Sequence, residues 1–102
     1  MNVTQQLRRI MSRRNAWREV FRSEDGELKK SGIEVLADLQ RFCHDNRPTV
    51  KVSKATGMVD PIAMAIAEGR REVFLRIKEH LKLDDRDLQR LIKQQTDEVY
   101  EQ

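Results

Sequence analysis

The chain has 102 residues, of which 38% are hydrophobic, 36% charged and 5% aromatic, and its formal net charge is +3 at pH 7. This length predicts one domain that buries about two-thirds of its unfolded surface, which leaves a modest core. The single cysteine excludes an internal disulfide framework, and no apolar run approaches the roughly 18 residues that a membrane-spanning helix needs.

Charge is distributed unevenly along the chain. Residues 1–22 hold six arginines against one acid, Glu19, whereas residues 84–102 hold six acids against three bases. Opposite charges favour contact between the two ends, either within one molecule or head to tail between molecules. Solvated helix faces of opposite bias are the alternative interpretation.

Apolar residues at three- and four-residue spacing predict a first helix over about 4–22, with Thr4 as its N-cap. Its apolar series is Val3, Leu7, Ile10, Trp17 and Phe21. At about 100° per residue the arginines scatter around the helix, and Arg14 falls inside the apolar stripe. A helix that reads a nucleic-acid groove presents its basic residues together, although non-specific phosphate contact needs only charge.

The second predicted helix covers about 30–44, and we expect it to be the most buried. One face carries Val35, Leu36, Leu39, Phe42 and Cys43. Pro48 lies shortly beyond it, and the residue before a proline is pushed out of the helical region. Residues 49–59 alternate valine with lysine, and we interpret them as a loop or a lone extended segment.

Asp60-Pro61 predicts the start of a third helix, with aspartate as N-cap and proline in the first turn. The stripe of this helix is Ile62, Ile66, Val73, Ile77 and Leu81, with Phe74 beside it. The fourth helix begins near Asp84, and its narrow seam is Leu88, Leu91, Ile92, Gln95 and Val99.

We expect an all-α bundle of three to four helices in a single domain. It comprises a basic helix (1–22), a helical core (28–81) with a loop (46–59), and a C-terminal helix (84–102) that is free to protrude.

Residues able to carry chemistry are scarce. Cys43, His44 and His80 cannot supply the about four ligands of a closed zinc site. Cys43 lies on the apolar face of its helix, which favours a buried thiol. The chain has no nucleophile-elbow serine and no glycine-rich phosphate loop. We therefore expect no catalytic, cofactor-binding or metal-binding residue, and no enzyme.

The third helix is interrupted at Gly69-Arg70. Glycine costs a helix about 1 kcal/mol relative to alanine, and with Ala65 one turn earlier it forms a small-residue notch that another backbone can approach. Arg70 projects from the apolar face, where a guanidinium needs a partner. We predict a structural salt bridge to Asp38, with Glu34 as the second candidate.

Two surfaces are predicted to meet partners. One is the arginine-rich first helix, through Arg8, Arg9, Arg13, Arg14 and Arg18. The other is the C-terminal seam, through Leu88, Leu91, Ile92 and Val99. This seam either docks on the bundle or pairs with another chain.

Four sequence blocks between residues 17 and 81 form a distinctive set. They are Phe21 with Glu24-Asp25-Gly26, Gly32 through Cys43, Asp60-Pro61, and Ala67-Glu68-Gly69-Arg70-Arg71-Glu72-Val73. The set resembles a family of small tailed-bacteriophage proteins, the Bordetella-phage Bbp-type family, and the Glu-Gly-Arg-Arg block is its more specific part. The family has one glycine before its Val-Leu block. Here Gly26 and Gly32 are both present, and either one fills that position.

The resemblance implies a role in virion morphogenesis, because members are encoded near portal and capsid genes. The implied partners are portal, capsid or tail proteins or a second copy of the chain, with no membrane contact. The implied location is the host cytoplasm during assembly, and then the virion. Two other functions stay open: a DNA-associated protein acting through its arginine-rich helix, and a small regulator of a host protein.

Overall fold

A computed structural model describes residues 2–43, 55 and 57–101, with the backbone alone for 99–101. Four α-helices make up most of this described part: α1 (Val3–Phe21), α2 (Lys30–Cys43), α3 (Pro61–Leu81) and α4 (Asp85–Glu101). The predicted all-α fold is confirmed. The predictions for His44 and for most of the 46–59 loop lie outside the described residues.

The helix starts follow from local capping. Asn2, not the predicted Thr4, caps α1: its Oδ1 accepts from the Gln5 N–H at 2.8 Å, and the Gln5 side chain accepts from the Asn2 N–H. Asn2 therefore completes a reciprocal capping box. At α3 the Asp60 carboxylate accepts from the N–H groups of Ile62 and Ala63, with Pro61 following, as the sequence predicts.

Two glycines shape the link between α1 and α2. Gly26, at φ +85°, lies in the turn between Arg22 and Leu28, which form an isolated antiparallel bridge. A Cβ on Gly32 would lie 2.8 Å from the Phe21 carbonyl oxygen, so glycine lets the start of α2 approach the end of α1. Gly26 therefore serves the positive φ of the turn, whereas Gly32 serves the close approach of α2 to α1.

α2 lies at the centre of the bundle and packs against α4, α3 and the end of α1. The core combines α2 with residues from every neighbouring segment except α1: Leu28, Leu36, Ala37, Cys43, Phe74, Ile77, Leu81 and Leu91. Phe74 is completely buried, whereas Phe42, which the sequence placed on the buried face of α2, is 60% exposed. The prediction for Phe42 was wrong because the neighbouring helices leave part of that face uncovered.

The protruding element is α1 and not α4. α4 docks along α2, where Leu91 is fully buried and the Gln95 amide donates to the buried Gln40 at 2.7 Å. α1 contains no buried residue. The radius of gyration is 17.0 Å, compared with about 13 Å for a compact domain of this size. We name the projecting part of α1, residues 3–16, the N-terminal arm.

Candidate interaction surface

Arg22 joins three parts of the bundle at the base of the N-terminal arm. Its Nη1 donates to the Gly26 carbonyl at 2.8 Å, and its Nη2 donates to the Leu81 carbonyl at 2.7 Å and to Asp87 Oδ2 at 3.1 Å. The Arg22 side chain is 14% exposed and that of Asp87 is 8% exposed. The guanidinium therefore ties the α1–α2 turn to the end of α3 and the start of α4. It holds the end of α1 from which the arm projects.

Asp87 is held in turn by the first turn of α4. Its backbone N–H donates to Asp84 Oδ1 at 2.8 Å, and its carboxylate accepts from the Asp84 N–H at 3.2 Å. The bond from the Asp87 N–H is the main reason why the pKa of Asp84 is lowered from its ordinary value. This reciprocal cap holds Asp87 for its ion pair with Arg22.

The turn before α2 is also paired with α4. Glu27 accepts from Arg90 at 2.7 Å and lies 3.5 Å from Arg86. The Arg22–Asp87 pair joins the basic head of the chain to its acidic tail within one molecule, whereas the Glu27 contacts join an acid of the turn to two bases of the tail. The sequence offered that as one of two outcomes, and it did not identify Arg22 or Asp87 as the residues. The available signal was an arginine directly after the last apolar residue of α1.

The predicted Asp38–Arg70 salt bridge is corrected. Asp38 pairs with Arg41, one turn further along α2, at 2.7 Å. The Arg70 guanidinium lies over the ring of Phe42, with its Cζ 4.7 Å from the ring centroid. Arg70 is only half-buried, so its guanidinium stays partly solvated and needs no carboxylate partner besides the contact with the ring face. Glu34, the second candidate, is exposed and takes part in no ion pair among the described residues.

The predicted notch at Ala65 and Gly69 is open. Both residues are exposed, and a Cβ added to Gly69 would meet nothing within 4 Å. No described segment of the chain packs there, so the described chain does not make the close backbone approach that the sequence predicted.

The N-terminal arm presents an uncovered apolar stripe. Val3, Leu7, Ile10 and Met11 are 45–70% exposed. The five arginines predicted to meet partners (Arg8, Arg9, Arg13, Arg14 and Arg18) are all exposed, and none forms an ion pair with another described residue. The arm is thus both apolar and basic, and nothing within the described chain covers it.

A second uncovered apolar surface lies between α2 and α3. The Arg70–Phe42 contact shows that the two helices run side by side at this level. Apolar side chains that are about half exposed line the surface, which we name the α2–α3 groove: Val35, Phe42, Ile66 and Val73. The sequence assigned all four to the core, because a stripe of apolar residues does not say how much of it a neighbour covers.

The C-terminal seam is largely used inside the molecule. Leu91 is buried and Leu88 is half-buried in the bundle, so neither is free to meet a partner as predicted. Ile92 is 44% exposed, and the side chain of Val99 lies outside the described atoms. The docking of α4 on α2 explains this correction.

Within the described residues, no group of three or more His, Cys, Asp or Glu side chains is placed to hold a metal ion. No helix of that part is long and apolar enough to cross a membrane. The features that stand out are therefore the two uncovered apolar surfaces and the basic arm.

Fold and surface together define a small all-α protein whose exposed apolar groups are concentrated on one projecting arm and one inter-helix groove. The sequence profile of the Bbp19-like phage proteins matches residues 17–93, and the chain belongs to that family. The matched range starts at Trp17, the first half-buried residue of α1, so the N-terminal arm lies outside it. No curated protein and no solved structure shows significant similarity to the chain.

Proposed function

We propose that this protein is a structural or assembly component of the phage virion, acting at the head or portal through protein–protein contacts. One observation carries the proposal: the apolar surface left uncovered on the N-terminal arm and in the α2–α3 groove. Large exposed apolar patches on small domains mark interaction sites, because leaving such surface in water costs about 25 cal/mol per Å². Membership of a phage family supports a partner from the phage itself.

The arm adds a second argument for partners. It is the first three-quarters of a 19-residue helix that buries no residue. Most helical stability in proteins comes from packing an amphipathic face, since an isolated helix of this length is marginal in water. A partner that covers the apolar stripe would supply the missing packing. We propose no catalytic role, since every feature singled out above is a packing or charge feature.

Mass spectrometry of purified phage particles tests this proposal. We expect peptides of this chain in mature virions or in purified heads and portal-containing assembly intermediates, in a constant ratio to the portal protein. A control preparation from cells that express the chain without other phage proteins should yield none in the particle fraction. Finding the chain only in the unassembled fraction, bound to a host protein, would instead favour a regulator of the host.

DNA contact is the second candidate, because five exposed arginines of α1, four of them on the arm, lack ion-pair partners among the described residues. If they neutralise phosphates, affinity for duplex DNA falls steeply with salt, with a slope of about −0.9 per phosphate contact. Replacing Arg8, Arg9 and Arg13 together with alanine should then reduce that slope by about 2 to 3. Replacing three exposed cations elsewhere, Lys30, Arg76 and Lys93, is the matched control. Absence of binding at low salt would contradict DNA contact.

A further inference from the structure

The α2–α3 groove is filled at one end and uncovered along the rest. At the filled end the indole of Trp17 stacks on the imidazole of His80, with ring centroids 5.1 Å apart, and Phe21 lies against Gly32. His80 and Val73 are two turns apart on α3 and therefore lie on the same face of that helix. This face continues toward the N-terminus of α3. The groove is therefore the continuation of the surface that the end of α1 already covers.

The arm carries the side chains that this groove lacks. Val3, Leu7 and Ile10 lie on the same face of α1 as Trp17, since they precede it in a series of three-, four- and seven-residue spacings. Had α1 continued along α3, these side chains would have covered the groove. In one molecule the arm diverges instead, and both the arm and the groove stay exposed.

Charge along the two surfaces is complementary. Each of the two helices has an exposed glutamate next in sequence to a groove residue, Glu34 before Val35 and Glu72 before Val73, and neither forms an ion pair with another described residue. The arm has four arginines and no acid before Glu19. Pairing two arms with each other would juxtapose like charges, whereas an arm in the groove places arginines beside glutamates.

We infer that the occupant of the groove is the N-terminal arm of a second copy of this chain, in a two-fold dimer that exchanges its arms. Such exchange is a low-cost route to a dimer, because the contacts are those that one chain's own sequence is matched to make. The inference deepens the proposed function by naming one partner. It rests on the protein–protein part of that proposal and not on presence in the virion.

Light scattering on the full chain over a concentration series tests the dimer. We expect a mass of twice 12.1 kDa at the higher concentrations. Leu7→Glu on the arm, or Ile66→Lys in the groove, should raise the dissociation constant at least about tenfold, because each buries an unpaired charge in both symmetric contacts. Val20→Glu is the matched control: Val20 is 64% exposed but lies off the arm's stripe, so its dimer should persist.

Mixing the two variants identifies the arrangement. In an exchanged dimer of one Leu7→Glu chain and one Ile66→Lys chain, one arm–groove contact is unmodified and the other pairs Glu with Lys. The 1:1 mixture should therefore associate more tightly than either variant alone. Circular dichroism checks folding, and Glu72→Arg, at the exposed position before Val73, replaces Ile66→Lys should that variant unfold.

Three results would overturn the inference: a monomer at every concentration, a dimer that neither variant weakens, or a mixture no tighter than its components. The last would indicate arm–arm contact. Detecting the chain in virions bears on the proposed function alone, so the two hypotheses fail separately.

Discussion

Replacing Arg22 with alanine should lower the free energy of unfolding by about 3 kcal/mol. The change leaves the Asp87 carboxylate, 8% exposed, without its cation and removes a donor from the carbonyl at the end of α3. Removing one partner of a buried pair is costly because the other charge stays desolvated. Arg22 is the C-cap residue of α1 and lies outside the helix itself. The difference in helix propensity between arginine and alanine therefore does not contribute to the expected loss. Urea denaturation followed by circular dichroism measures the change.

Two variants make this prediction specific. Arg86→Ala removes an arginine whose side chain is 69% exposed and 3.5 Å from Glu27, so we expect a loss below about 0.5 kcal/mol. Arg22→Lys keeps the charge but cannot reach the Gly26 carbonyl, the Leu81 carbonyl and Asp87 at once, so it should recover less than half of the loss. Equal losses of unfolding free energy for Arg22→Ala and Arg86→Ala would contradict the role of Arg22 in joining α1, α3 and α4.

Phe74→Ala should cost about 3 to 5 kcal/mol, because Phe74 is completely buried and its removal leaves a cavity in the centre of the bundle. The same substitution at Phe42, which is 60% exposed, should cost less than about 1 kcal/mol. What Phe42→Ala removes is mainly the contact of the ring with Arg70. Thermal and urea unfolding of the two variants side by side provide the measurement.

The pair of phenylalanines tests the packing arrangement directly. A large loss for Phe42→Ala together with a small one for Phe74→Ala would mean that α2 and α3 present the opposite faces to the core. If the arm-exchanged dimer forms, Phe42→Ala should in addition weaken it, because Phe42 lines the α2–α3 groove. Unfolding is therefore measured at a concentration below the dissociation constant, so that folding and association are separated.

Local sequence was sufficient for the helices and for part of their ends. Asp60-Pro61 predicts the start of α3 because the cap and the fixed φ of proline act within a few residues. The Glu-Gly-Arg-Arg block likewise indicated the phage family whose profile matches the chain.

Which residues pack against each other could not be predicted from the sequence. An apolar stripe shows which face of a helix avoids water, but the covered fraction depends on where the neighbouring helices end and diverge. Phe42 and Leu91 both lie on such stripes, yet one is exposed and the other is fully buried. Arg70 was expected to find Asp38, but Asp38 had a nearer cation one turn away in Arg41.

The sequence by itself therefore determined an all-α phage-family protein with four amphipathic helices, because helical periodicity and capping are local. Only the tertiary structure decided that α4 docks, that the arm of α1 projects and that Arg22 meets Asp87, 65 residues away. Those outcomes depend on contacts between distant segments, whose geometry is set by the whole packed bundle and not by any one stretch of chain.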